Sequence, residues 1–300
     1  MFESKTMRIL LTGASGFLGS QVVRALLDRG DEVLAYRRPR TDLSRLSDVQ
    51  QRIQWFDAAP ESLAAPFESG VPIDTLIHAA TCYGRGSETA ADLIEANLRL
   101  PVALLELGEQ HGLGRFFNVH SSLPPSVSAY ALSKHQLVAW LNALPGRVSR
   151  LHFSLEHFYG SGDAPTKFPT WLLGQLLADQ PRIPLTAGEQ VRDFIHIDDV
   201  VSAVLFCLDR PPDTFAPNEV LSIGSGAPVT IREFCTRAKT IAGSSIALEF
   251  GAVPYRPNEP MRLQADLSRM MALGWQPRIS LDDGLRRVAD HLRAKLTPAA

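Results

Sequence analysis

Apolar residues along this chain fall into two alternating rhythms. Arg8-Ile9-Leu10-Leu11-Thr12 is an apolar run of strand length, suited to a strand buried on both faces. Leu18, Val22, Val23, Leu26 and Leu27 then recur at helical spacing, and Gly30 predicts the end of that helix. Glu32-Val33-Leu34-Ala35-Tyr36 reads as a second strand. Strand-like runs follow at Arg52–Phe56, Thr75–His78, Arg115–Val119 and Val148–Phe153, with helical patterns near 88–111 and 130–143. After about residue 155 prolines become frequent, at 165, 169, 181 and 184. A helix is predicted over 168–178, where Trp171, Leu172, Leu173, Leu176 and Leu177 form a core or cleft stripe. The segment Gln190–Asp199 leads into a helix ending near 209. Strands near 219–223 and 246–250 and helices over 230–242 and 281–295 complete the chain.

This order predicts an α/β fold, a Rossmann doubly wound parallel sheet with a smaller, discontinuous C-terminal substrate-binding domain. The nucleotide-binding domain is expected over 7–160 and about 193–224, the smaller one over about 161–192 and 225–300. A cleft between them is the expected ligand site.

Composition narrows the class. The 300 residues carry 30 Lys plus Arg against 32 Asp plus Glu, a formal net charge of -2. That balance argues against nucleic acid or an anionic membrane as the main partner. No stretch approaches the roughly 20 apolar residues of a membrane span, and MFESKTMRIL has no signal-peptide core. Cys82, Cys207 and Cys235 are an odd, widely spaced set, which reads as reduced thiols and a cytoplasmic location. No His, Cys and Asp grouping has metal spacing, so no metal is expected.

The first candidate chemistry is Gly13-Ala14-Ser15-Gly16-Phe17-Leu18-Gly19, between strand and helix. Gly13 permits the tight turn, Gly16 a close approach to pyrophosphate, and Gly19 close packing of the helix. Ser15, Phe17 and Leu18 complete the loop and first turn, where N–H donors meet phosphate. The second strand ends in Tyr36-Arg37-Arg38-Pro39-Arg40, without the carboxylate that binds an NAD ribose. Guanidiniums there suit a 2'-phosphate, so NADP(H) is favoured through Arg37 and Arg38, with NAD(H) the alternative.

The second is Tyr130-Ala131-Leu132-Ser133-Lys134, which puts Tyr130 and Lys134 one turn apart on a helix. A lysine ammonium beside a phenol is expected to lower its pKa, letting Tyr130 exchange a proton with a ketone or alcohol oxygen. Upstream, a strand ends in Asn118-Val119-His120-Ser121-Ser122, where a hydroxyl can bind the same oxygen. His120 is read as polar lining and His78 as a positioning group beside the cofactor.

These motifs resemble the extended short-chain dehydrogenase/reductases that modify nucleotide-linked sugars. The resemblance also includes His78-Ala79-Ala80, Asn97, Tyr159-Gly160-Ser161-Gly162-Asp163, Gly188 through Phe194 with Asp198-Asp199, Arg256-Pro257-Asn258-Glu259 and Leu273-Gly274-Trp275. Leu155 through Gly160, Gly224 through Ala227 and Glu249 through Ala252 are most like the CDP-abequose synthase type of 4-ketoreductase. By position, the resemblance implies Ser121, Tyr130 and Lys134 as catalytic, with Ser122 the alternative serine. It implies cofactor contacts for Asp57, His78, Ala79, Ala80 and Asn97, beside Tyr130 and Lys134. It implies substrate contacts for Thr81, Ser122, Lys167, Arg192, Arg256 and Glu259, with the arginines on a nucleotide diphosphate. His157 stands where relatives have asparagine, and either touches substrate or satisfies the core. Asp193, Asp198 and Asp199 orient Arg192 or cap the next helix.

Dehydratases of this family carry Asp-Glu after the catalytic hydroxyl; here Ser122-Leu123-Pro124 follows Ser121, which removes dehydration. A basic 2'-phosphate pocket suits NADPH consumed once per turnover. The expectation is therefore reduction of the C4 keto group of a CDP-, dTDP- or GDP-linked 4-keto-6-deoxyhexose, in deoxysugar synthesis such as that of O-antigen. A 4-epimerase, an NADPH reductase of non-sugar ketones and a non-catalytic redox sensor are the alternatives. Relatives commonly form homodimers through the helices near 88–111 and 130–143.

Overall fold

A computed structural model describes residues 6–178 and 181–296. In chain order the elements are β1 (Arg8–Thr12), α1 (Phe17–Asp28), β2 (Glu32–Arg37), β3 (Ile53–Asp57), β4 (Thr75–His78), α2 (Ala90–Ile94), α3 (Leu100–Gln110) and β5 (Arg115–Ser121). There follow α4 (Ala129–Ala143), β6 (Ser149–Leu155), β7 (His157–Tyr159), α5 (Phe168–Leu177), β8 (Arg182–Leu185), β9 (Val191–Arg192), β10 (Phe194–His196) and α6 (Ile197–Leu208). The chain ends with β11 (Glu219–Ile223), β12 (Val229–Thr230), α7 (Ile231–Ala242), β13 (Ala247–Phe250), α8 (Ser268–Ala272) and α9 (Leu281–Leu296). It packs as two compact units, Met1–Ser154 with Val204–Leu221 and Leu155–Ala203 with Ser222–Ala300.

The first unit is built on a seven-stranded sheet of order β11-β6-β5-β4-β1-β2-β3. β1 pairs in parallel with β2 on one side and β4 on the other. The chain winds outward from β1 twice, and the loop after β1 leaves at the switch point where such sheets bind ligands. Alternation sets the layers. Leu10, Leu34, Leu76 and Phe116 project from one sheet face onto Leu104 and Leu105 of α3 and Leu137 and Leu141 of α4.

The second unit has two-stranded sheets, β7 with β10, β8 with β13 and β9 with β12. The expected stripe on α5 supplies Leu172, Leu173 and Leu176 to its core, with Phe194, Phe234, Leu285 and Val288. Phe194 and Phe234 stack with ring centroids 4.1 Å apart, and Tyr159 donates to the Leu281 carbonyl at 3.2 Å.

Candidate active site

At the end of β1 the chain turns through Gly13 at φ +72°, where a Cβ would lie 2.5 Å from the Ala80 nitrogen. A Cβ at Gly19 would sit 2.0 Å from the Gly13 carbonyl oxygen. These close approaches hold β1, α1 and the end of β4 together and explain both glycines. Gly16 caps α1 with no side-chain hydrogen bond, and no acidic residue lies in the first turn, which contains Phe17 and Leu18 after half-buried Ser15. The positive end of a twelve-residue helix is thus left to an anion. Facing it, Thr12 Oγ1 accepts from the Ala80 nitrogen at 3.2 Å, and Ala79 donates to the Thr12 carbonyl at 3.2 Å. These features fit a dinucleotide pyrophosphate.

β2 ends at Arg37, in register with Asp57 at the end of β3. The Arg37 guanidinium lies 5.7 Å from the centre of the Trp55 ring. Arg37, Arg38 and Asp57 are exposed.

Ser128 caps α4, accepting from the Ala131 nitrogen at 3.1 Å, so Tyr130 falls in the first turn and Lys134 one turn on. β5 runs two residues further than its apolar pattern predicts and ends at Ser121. The Ser121 hydroxyl accepts from the Leu123 nitrogen at 3.3 Å, and it lies near enough to the Tyr130 phenol to favour the phenolate. Ser122 is half-buried beside it. The expected acidification of the phenol is overturned. Burial, then the neighbouring Tyr83 phenol, holds Tyr130 above its ordinary value, against the Ser121 hydroxyl and the Arg85 charge. Lys134, 1% exposed, is itself pushed down to about 8 by burial.

Lys134 acts on a buried polar layer at the same sheet face. His78 of β4, Asn118 and His120 of β5 and His152 of β6 are all buried. Burial, then the Lys134 charge, holds His78 well below its ordinary value. His120 is pushed down to about 3 by burial, with His135, Lys134 and His152 adding to it. His152 is pushed down to about 4 by burial, then by Arg150 and Lys134. Thr12 Oγ1 lies 2.8 Å from His78 Nδ1, and Asn118 Nδ2 lies 3.1 Å from His152 Nδ1. His78 Nε2, Asn118 Oδ1, His120 Nδ1 and His152 Nε2 are buried without a protein partner. Such atoms need water or a ligand. The strand-like runs that hold Asn118 and His152 also contain other polar residues, and spacing alone singles out neither.

Asn97 sits in a π-helical turn, Glu95–Arg99, between α2 and α3. The resemblance makes it a cofactor contact, but its amide is engaged within the protein. Oδ1 accepts from the Cys82 nitrogen at 2.8 Å and the Thr81 hydroxyl at 3.2 Å. Nδ2 donates to the Cys82 carbonyl at 2.8 Å and to Ser133 Oγ at 2.9 Å. Ser133 Oγ donates in turn to the Tyr130 carbonyl at 2.7 Å. Asn97 therefore ties the loop after β4 to the helix bearing Tyr130.

In the second unit the structure brings two expected substrate residues together. Arg192, 4% exposed, donates to Glu259 and, at 2.8 Å, to the Val191 carbonyl. Arg256 is exposed, and its carbonyl accepts from the Glu259 nitrogen at 3.2 Å. Lys167 is half-buried at the cap of α5. His157 is half-buried on β7, its Nδ1 3.8 Å from Glu156 Oε2 and its ring edge-on to Phe194. The expectation for Asp193 is corrected: it neither orients Arg192 nor caps a helix. Its carboxylate accepts from Ser225, Gly226 and Ala265 nitrogens at 2.7, 3.2 and 3.2 Å. Asp199 lies in the first turn of α6 and accepts from the Arg278 and Ile279 nitrogens.

Residues 9–224 match the model of the NAD dependent epimerase/dehydratase family. The chain belongs to that family. As a member it is an enzyme of the NAD(P)-dependent oxidoreductase type. CDP-abequose synthase of Salmonella typhimurium is 29% identical over 296 residues, covering 95% of this chain and 98% of that protein. GDP-L-fucose synthase 1 of Arabidopsis thaliana is 26% identical over 320 residues, covering 96% and 94%. Among solved family folds, UDP-glucose 4-epimerase from Thermotoga maritima with UDP-glucose matches with TM-score 0.85 and 22% identity, over 97% of this chain and all of that one (100%). UDP-glucuronic acid 4-epimerase from Bacillus cereus, in complex with UDP-glucuronic acid and NAD, matches with TM-score 0.81 and 24% identity over 96% and 100%.

Proposed function

We propose that this chain is a cytoplasmic NADPH-dependent reductase of the C4 keto group of a nucleotide-linked 4-keto-6-deoxyhexose, similar in activity to CDP-abequose synthase. The first unit would take the cofactor and the second the nucleotide sugar. The observation that carries this reading is the placement of Ser121 at the end of β5 and of Tyr130 in the first turn of α4, one turn before the buried Lys134. A reductase needs an acid at that oxygen, and a neutral phenol is one. The nicotinamide supplies hydride when bound. Ser121 and Tyr130 donate hydrogen bonds to the carbonyl oxygen, and Tyr130 gives up its proton as charge develops there. Arg192, oriented by Glu259, and Arg256 hold the diphosphate. The test is NADPH oxidation with CDP-, dTDP- and GDP-linked 4-keto-6-deoxyhexoses in parallel; a 4-epimerase would leave NADPH unconsumed with these and would instead interconvert the 4-hydroxy epimers of a nucleotide sugar.

The preference for NADPH rests on Arg37 and Arg38, exposed where β2 ends without an acid. Replacing both with alanine is expected to weaken NADPH by about tenfold or more while leaving NADH nearly unchanged, since each charge-assisted bond to phosphate contributes about 1.5–3 kcal/mol. Fluorescence titration of both cofactors checks this, and equal losses would refute it.

A homodimer through α4 completes the reading. Leu137 and Leu141 are buried in the sheet-facing core, yet Leu132 and Trp140 on the same helix are 44% and 57% exposed. Ile94 of α2 adds another exposed apolar side chain. Trp140→Glu is expected to convert dimer to monomer in sedimentation velocity without loss of helical content. A wild-type monomer would refute the dimer.

A further inference from the structure

Two residues at the reacting phenol carry no expected role. Tyr83 packs on Tyr130 with ring centroids 4.8 Å apart and an interplanar angle of 39°. The Arg85 guanidinium lies 5.4 Å from the centre of the Tyr83 ring. Cation, phenol and reacting phenol thus follow one another in contact. Gly84, between them, adopts φ +62°, and a Cβ there would lie 2.8 Å from Leu93 Cδ1. That turn lets Arg85 come back over its neighbour two residues away. The stack is anchored from behind. Cys82, immediately before Tyr83, has both its backbone nitrogen and carbonyl held by Asn97 at 2.8 Å. Through Ser133, Asn97 also reaches the Tyr130 carbonyl.

We propose that Tyr83 and Arg85 are positioning residues for Tyr130: the loop Cys82–Arg85 braces the face of the phenol ring and sets a cation beside it. The inference rests on the reading of Tyr130 as the proton donor. Offset aromatic pairs contribute about 0.5–1.5 kcal/mol beyond area burial, and a guanidinium over the outer ring adds a cation–π contact. A ring held on one face leaves its hydroxyl at a fixed place against Ser121, which is what proton transfer to a positioned carbonyl requires. The brace is also electrical. Arg85 favours the phenolate and opposes the burial that raises the phenol. Tyr83 and Arg85 come from the loop after β4 and the Ser121 hydroxyl and His120 from β5. Lys134 and His135 lie on the phenol's own helix. Among these, Arg85 is the exposed cation.

Two measurements test the brace. In the cofactor-free protein, fluorotyrosine is placed at position 130 and its ionisation followed by fluorine NMR. Arg85→Gln is expected to raise the midpoint by about half a pH unit. An unchanged midpoint overturns the electrical role, and this readout needs no substrate. In steady-state reduction of a CDP-linked 4-keto-6-deoxyhexose, Tyr83→Ala is expected to lower kcat about tenfold with KM for NADPH unchanged. Tyr83→Phe keeps the stack and should stay within about twofold of wild type. Wild-type kcat in Tyr83→Ala, or equal losses in both variants, overturns the positioning role. If the wild-type enzyme turns over none of the 4-keto sugars, the proposed function fails while the fluorine titration still decides the brace.

Discussion

Tyr130→Phe is expected to lower turnover by about 10³-fold while cofactor affinity stays within about twofold, because a positioned general acid typically contributes 10²–10⁴-fold. The variant keeps the ring, so its packing on Tyr83 survives. What it removes is the hydroxyl that lies near Ser121 and would give its proton to the substrate oxygen. Water or Ser121 alone would then have to protonate a developing alkoxide. The residual rate measures what hydride donation and orientation achieve without the acid. Pre-steady-state NADPH oxidation would report the loss in the chemical step, and a cofactor titration would show the site intact. Near-normal turnover would remove Tyr130 from the mechanism.

Lys134→Met is expected to abolish most activity and yet stabilise the fold. The lysine is 1% exposed, and burial pushes it from 10.5 down to about 8. At neutral pH it is charged in both folded and unfolded chains. The folded state therefore carries a penalty of about 3 kcal/mol, at 1.36 kcal/mol per pH unit. The sign follows from proton counting. Between pH 8 and 10.5 the unfolded lysine holds its proton and the folded one sheds it, so wild-type stability gains from rising pH in that window. Below pH 8 the penalty is constant. Methionine, of similar length and uncharged, removes it. The variant should melt higher than wild type at pH 7, with the gap closing as pH passes 8. A lower melting temperature at pH 7 would mean that the ammonium has a compensating partner, and the account of its burial would be wrong. A chain that retains such a costly charge gives the group a functional reason to be there.

How far these features could be read in the sequence depends on their physical origin. The glycine loop was legible because backbone geometry admits no substitute at Gly13 and Gly19. Tyr130 and Lys134 were legible because helical spacing is local, and a strand-end serine identifies its neighbour by position. The long strands and helices came through as periodicity, whereas β7, β9, β10 and β12 are two or three residues long and carry no period. The direction of the Tyr130 shift is not legible from spacing, because burial, which spacing does not report, outweighs a nearby charge. Tyr83 and Arg85 lie 47 and 45 positions before Tyr130, and only the folded loop brings them to it. Arg192 and Glu259 each match a substrate position in the sequence, yet their mutual pairing joins a strand residue to a residue 67 positions on.

The proposed reaction is a single hydride transfer to C4 with net consumption of cofactor. The direct measurement uses NADPH carrying deuterium at its transferable position, with CDP-4-keto-6-deoxyglucose as substrate. Product is analysed by proton NMR beside absorbance of the reduced cofactor. The account predicts one NADPH oxidised per sugar converted and deuterium at C4 of a 4-hydroxy product. Recovery of the 4-keto sugar with no net loss of NADPH, or a 4-hydroxy product with no deuterium at C4, would contradict it.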